Sequence, residues 1–123
     1  MPENSTIFAR LMAVIEDRRA NPSEKSYTNR LLEGGVPKIG AKISEEAAEV
    51  VEAAGEPGDA GRAHTIREAA DVLYHLFVLL AARQISLEEV ENELAGRFGI
   101  SGLDEKASRG SKPSSGHADR DSS

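Results

Sequence analysis

Hydrophobic positions recur along this chain with a helical period. Ile7, Leu11, Val14 and Ile15 fall on one face, which predicts a first amphipathic helix over about residues 4–19. It stops before Asn21-Pro22, because a residue that precedes proline avoids the α region. Ser26 predicts the cap of a short second helix reaching Glu33, with Gly34-Gly35 as its stop. Pro37 suits the first turn of a third helix, where a missing N–H costs nothing. That helix is expected to run to about Ala54, before Gly55-Glu56-Pro57-Gly58. A fourth is expected from about Arg62–Thr65 to Arg83. Ser86 then caps a fifth, Leu87 to about Arg97, with Glu88 and Glu89 in the first turn where the helix dipole favours acids. No segment shows the period-two alternation of a strand. The expected fold is all-α, a bundle of about five helices.

Composition narrows this reading. Aromatic residues make up 4% of the chain and tryptophan is absent, so the core must come from Ala, Leu, Ile and Val. Closely packed helices suit that choice better than a β-sandwich. The 123 residues allow one core. From Ser108 onward apolar side chains nearly vanish, so that segment cannot offset its ordering entropy. Residues 1–98 therefore read as one folded domain, and residues 99–123 as a largely disordered C-terminal tail. There is no cysteine, which excludes a disulfide framework, a thiolate zinc site and a cysteine nucleophile. The longest apolar run, Ala69 to Ala82, is interrupted by Asp71 and His75 and falls short of the ~20 residues of a membrane span. A soluble, cytoplasmic protein without a membrane partner is expected.

The formal net charge is −6. From Gly99 onward, Lys106, Arg109, Lys112 and Arg120 balance Asp104, Glu105, Asp119 and Asp121. The whole excess of negative charge thus belongs to residues 1–98. That argues against a phosphate-gripping nucleic-acid surface. An acidic helical body acting on an anion would need a cation between the two.

The acids are patterned. The third helix carries Glu45-Glu46-Ala-Ala-Glu49 and the fourth Glu68-Ala-Ala-Asp71, each with carboxylates one turn apart on one face. On a helical wheel Lys38, Lys42, Glu45, Glu46, Glu49 and Glu52 share one side. Ile39, Ile43, Ala47, Val50, Val51 and Ala54 take the other. By itself such a charged stripe is more often solvated surface. The fourth helix changes that balance, being apolar nearly all round from Ala69 to Ala82. Asp71 is then expected in or beside the core, where a carboxylate needs a partner charge, a metal or its proton. If the two helices are antiparallel about a turn near residues 58–59, Glu49 faces Glu68, Glu46 faces Asp71 and Lys42 faces His75. Carboxylates so placed repel unless a hard divalent cation bridges them. An all-oxygen ligand set favours Mg²⁺, with Mn²⁺ as the alternative, over zinc. His75, one turn beyond Asp71, is a candidate contact for a phosphate, set against the commoner role of a hydrogen-bonded core histidine. Tyr74 points away from the acids and reads as packing or as part of a subunit interface.

The E-E-x-x-E and E-x-x-D pattern resembles the metal site of the all-α nucleoside triphosphate pyrophosphohydrolases, the MazG-like and dimeric dUTPase-like group. Its surroundings, Ser26-Tyr27-Thr28, Leu31, Gly35, Lys38-Ile39, Lys42 and Glu45-Glu46, are similar to the phosphoribosyl-ATP pyrophosphatase family. So is the run from Glu68 through Tyr74-His75 to Leu80, followed by Ile85-Ser86-Leu87, Leu94 and Arg97. The resemblance covers roughly residues 5–98. It implies hydrolysis of phosphoribosyl-ATP to phosphoribosyl-AMP and pyrophosphate, the second step of histidine biosynthesis, by a Mg²⁺-dependent homodimer. It further implies Glu46, Glu49, Glu68 and Asp71 as metal ligands, with Glu45 as a possible fifth, and Lys38 and Lys42 as contacts for the triphosphate. Glu45 or Glu49 would take the proton from the attacking water. Two rival readings stay open. One is a house-cleaning hydrolase of dUTP or damaged nucleotides, and the other a non-catalytic helical dimer whose acids are plain surface.

Overall fold

The first helix begins where Thr6 turns its hydroxyl to accept a hydrogen bond from the Ala9 N–H, at 3.1 Å, so an otherwise orphaned donor is satisfied. The computed structural model describes residues 6–99. Among these residues there are four helices and no strand: α1 (Ile7–Ala20), α2 (Tyr27–Ala54), α3 (Gly58–Ala82) and α4 (Leu87–Phe98). Of the expected tail, residues 99–123, all but Gly99 lie outside the described residues. The chain divides after Ile85 into two compact units, α1–α3 and the segment carrying α4.

Four helices replace the expected five because Gly34-Gly35 makes a kink and not a loop. Gly35 alone leaves helical geometry, at φ 76° and ψ −170°, while helical hydrogen bonding resumes on either side. That region is essentially open to glycine only. Gly34 next to it lies under the Lys38 side chain, whose Cβ would stand 2.7 Å from an added Cβ. Pro37 falls in the first turn after the kink, where the lack of an N–H is tolerated. The other large difference is the start of α3, at Gly58 and not at residues 62–65. Pro57 precedes it in extended conformation, and Asp59 occupies the dipole-favoured first turn. The Ser26 cap is as expected, its hydroxyl accepting from the Asn29 N–H at 3.2 Å.

Within the first unit α2 and α3 form an antiparallel hairpin, and α1 packs on both. Met12 and Ile15 from α1 join Leu31, Ile39 and Ala53 from α2 and Phe77, Val78 and Ala81 from α3 in the core. Phe8 meets Phe77 edge-on, with ring centroids 5.8 Å apart. Buried Asn29 ties the α1–α2 connection: its amide donates to the Arg18 carbonyl at 2.7 Å, and its oxygen accepts from the Ser23 N–H at 3.0 Å. In the second unit, α4 opens on a capping box. The Ser86 hydroxyl accepts from the Glu89 N–H, and Glu89 accepts from the Ser86 N–H.

No single helix among the described residues is long and apolar enough to cross a membrane. The side of α2 opposite its acids is only partly covered within this chain. Ile39 is buried, yet Val51 is 73% exposed, and Ile66 of α3 is 58% exposed.

Candidate functional site

The hairpin brings acids from α2 and α3 together. One carboxylate oxygen each from Glu46, Glu68 and Asp71 lie within 4.8 Å of one another. A hard divalent cation binds oxygen at about 2.0–2.6 Å, so opposed ligands of one ion stand roughly 4–5 Å apart. The three oxygens are therefore spaced within reach of a single cation.

Burial within this group runs opposite to the expectation. Asp71 is exposed, and Glu46 is the buried member at 9%. The apolar girdle of α3 begins after Asp71, and the aspartate faces the open side of the hairpin. Glu46 sits on the α2 face pressed against α3. Each of the two more enclosed carboxylates is held at one oxygen only. Glu46 Oε2 is 3.8 Å from Lys42 Nζ, and Glu68 Oε2 is 3.4 Å from His64 Nε2. The other oxygens, Glu46 Oε1 and Glu68 Oε1, are buried with no hydrogen-bond partner among the described residues. Buried polar atoms are nearly always partnered, and two orphaned anionic oxygens on facing helices are donors that suit a hard divalent cation.

The remaining candidates surround this core. Glu49 lies against Glu68, and hydrogen bonding to that carboxylate, followed by its charge, raises the Glu49 pKa. Glu45 is exposed and accepts from Lys42 Nζ at 3.3 Å, and this bond is the main cause of a raised Lys42 pKa. Lys38 is exposed one turn before Lys42. His75 is buried, at 5% exposure. Its Nδ1–H donates to the Asp71 carbonyl at 2.8 Å, and its Nε2 accepts from the Tyr27 hydroxyl at 3.0 Å. No ring nitrogen of His75 is left for an outside ligand in this arrangement. Its cross-helix partner is Tyr27, where the hairpin register predicted Lys42. Tyr74 packs on Tyr27, with ring centroids 6.2 Å apart, and its hydroxyl bonds to that of Thr28.

One residue of the cluster escaped the sequence reading. His64 stands four positions before Glu68, a spacing that was visible, and bridges it to Glu56 in the α2–α3 turn. Hydrogen bonding to Glu56, the largest cause, together with the charges of Glu56 and Glu68, raises the His64 pKa.

The crowding has a measurable consequence in chelator. Glu49 binds its proton more tightly folded than unfolded, so its contribution to stability is present below the ordinary glutamate range. It is lost as pH rises through the raised folded value. His64 has the same sign in a higher window, its contribution being lost as pH climbs above the ordinary histidine range. Thermal melts of the metal-free chain should therefore show two downward steps with rising pH. Glu49→Gln should remove the lower one.

The profile of a family described as phosphoribosyl-ATP pyrophosphohydrolase matches residues 8–98. A protein of Rhodopirellula baltica named phosphoribosyl-ATP pyrophosphatase is 54% identical over 119 residues, which is 97% of this chain and 99% of that one. Proteins of the same name from Rhodobacter capsulatus and Dechloromonas aromatica are 48% and 46% identical, covering 85% and 86% of this chain and 99% and 95% of their own.

Proposed function

The chain belongs to the phosphoribosyl-ATP pyrophosphohydrolase family, and we propose that it hydrolyses phosphoribosyl-ATP to phosphoribosyl-AMP and pyrophosphate, the second step of histidine biosynthesis. The observation that carries a metal-dependent mechanism is the pair of buried, donor-free oxygens on Glu46 and Glu68, set beside Asp71. Glu46, Glu49, Glu68 and Asp71 would hold Mg²⁺, with Mn²⁺ as a substitute of the same oxygen preference. When bound, the ion supplies charge neutralisation at the phosphate oxygens and acidifies the attacking water.

The chain's own groups do the rest. Lys42 already stands beside Glu45 and Glu46, and with Lys38 one turn away it offers positive charge to the triphosphate. Glu49, which lies against Glu68, is one candidate for the base. Glu45, exposed at the rim, is the second candidate. Water attacks in line, the bond between the α- and β-phosphates breaks, the proton passes to the glutamate and pyrophosphate leaves. His75 acts indirectly, fixing the Tyr27 hydroxyl. The exposed Val51 and Ile66 support a homodimer that covers them. We take residues 1–98 as the folded unit of a cytoplasmic enzyme.

Initial rates on phosphoribosyl-ATP, dUTP and ordinary nucleoside triphosphates, run in parallel, test this reading. Phosphoribosyl-ATP should be preferred by about a hundredfold or more. Activity should vanish in chelator and return with Mg²⁺ or Mn²⁺. A preference for dUTP would transfer the chain to the house-cleaning reading.

A further inference from the structure

One side chain outside the groups assigned to the reaction is gripped from both sides by acids. His64, on the second turn of α3, places Nδ1 at 2.9 Å from Glu56 Oε1 and Nε2 at 3.4 Å from Glu68 Oε2. Nδ1–H donates to Glu56, whereas Nε2 meets Glu68 as an ion-pair contact of the protonated ring. The two acids differ in kind. Glu56 belongs to the α2–α3 turn, close against the buried Gly61. Glu68 belongs to the cluster, and the oxygen that His64 leaves alone, Oε1, is buried without a donor.

We propose that His64 is a positioning residue: anchored by Glu56, it holds Glu68 at Oε2 so that Oε1 is presented toward the cation position beside Glu46 and Asp71. The proposal rests on reading these acids as a cation site. A glutamate side chain has several free torsions, and fixing them before the ion arrives removes an entropy cost from binding. Partners that orient metal-binding carboxylates typically change affinity by about 10–100-fold. Loss of positive charge at His64 acts the other way, by roughly a few-fold in a solvent-screened setting. Orientation should dominate.

Two isosteric substitutions separate the contacts. The amide of His64→Gln reaches about as far as Nε2 and can still donate to Glu68. That of His64→Asn reaches about as far as Nδ1 and keeps only Glu56. Mg²⁺ titration calorimetry on the full chain, with Mn²⁺ binding followed by electron paramagnetic resonance, reads affinity without turnover. Melts in chelator check that each variant is folded. The expected order is wild type and His64→Gln within about threefold of each other, with His64→Asn and His64→Ala weaker by about tenfold or more. Equal affinity in all four proteins would overturn the proposal. So would tighter binding by His64→Ala, or a His64→Gln protein as weak as the other two. Binding by the wild type that ignores His64 defeats this inference alone. No cation binding by the wild type defeats the metal reading with it.

Discussion

Glu46→Gln and Asp71→Asn should each lower turnover by about a thousandfold or more, the loss of several kcal/mol of transition-state stabilisation, while the chain stays folded. The reason for pairing the two lies in their opposite burial. Asp71 is exposed and replaceable by its amide without a packing change. Glu46 is buried, with one oxygen held by Lys42 at 3.8 Å and the other without a donor. Glutamine keeps its shape, removes one negative charge from the group and places an amide donor among acceptors. The forfeited Lys42 contact is long and partly exposed, worth at most about 1 kcal/mol. Metal-free melts should therefore show Glu46→Gln as stable as the wild type, or more so. In Mg²⁺ the order should reverse. A ligand bound only by the folded state at about a hundred times its Kd adds roughly 2.7 kcal/mol, and the variant forfeits that gain. If the acids were plain surface, both substitutions would leave turnover and the Mg²⁺-dependent rise in Tm untouched.

That contrast also marks where the sequence could be read and where it could not. The i, i+3 spacing of Glu46 with Glu49 and of Glu68 with Asp71 places each pair on one helical face. An antiparallel hairpin then has few ways to keep the faces apart, so the meeting of Glu46, Glu68 and Asp71 was legible. Which acid is tucked in was not. The wheel gives an angle around one axis, whereas burial depends on how closely two axes approach, and α3 presents its apolar girdle only beyond Asp71. Ser26 and Ser86 were legible as caps because capping is local chemistry. Gly35 was legible as an interruption but not as a one-residue kink, since a loop and a kink both call for glycine there. Gly58 has the look of a helix breaker in the turn, yet it opens α3. His64 stands one turn before Glu68, but its second partner, Glu56, comes into range only once the turn is built. The bare apolar side at Val51 follows from no feature internal to one chain.

Gly61→Ala should destabilise this chain markedly, because the added methyl meets backbone. Gly61 is buried on the first turn of α3, directly against the backbone of Glu56. An added Cβ would stand 2.6 Å from the Glu56 carbonyl carbon and 2.9 Å from its Cβ. Most of that obstruction is backbone, so no flexible side chain can swing clear, and the turn itself must move. Overpacking of this kind costs about 1–3 kcal/mol, against which the better helix propensity of alanine returns only about 1 kcal/mol. Because backbone must move, the upper half of that range applies and about 1–2 kcal/mol remains; at 4–8 °C per kcal/mol for a domain of this size, Tm should fall by roughly 4–16 °C. Gly40→Ala provides the comparison, because nothing lies within 4 Å of the added carbon there. It should raise Tm slightly through propensity alone. The turn that Gly61 permits also carries Glu56 to His64, so its displacement should reach the acids as well. Mg²⁺ should stabilise Gly61→Ala less than it stabilises the wild type, whereas it should stabilise Gly40→Ala to the full extent. Parallel melts with Mg²⁺ and with chelator measure both effects. An unchanged melting point for Gly61→Ala would mean that the close approach of Gly61 to Glu56 does not exist in solution.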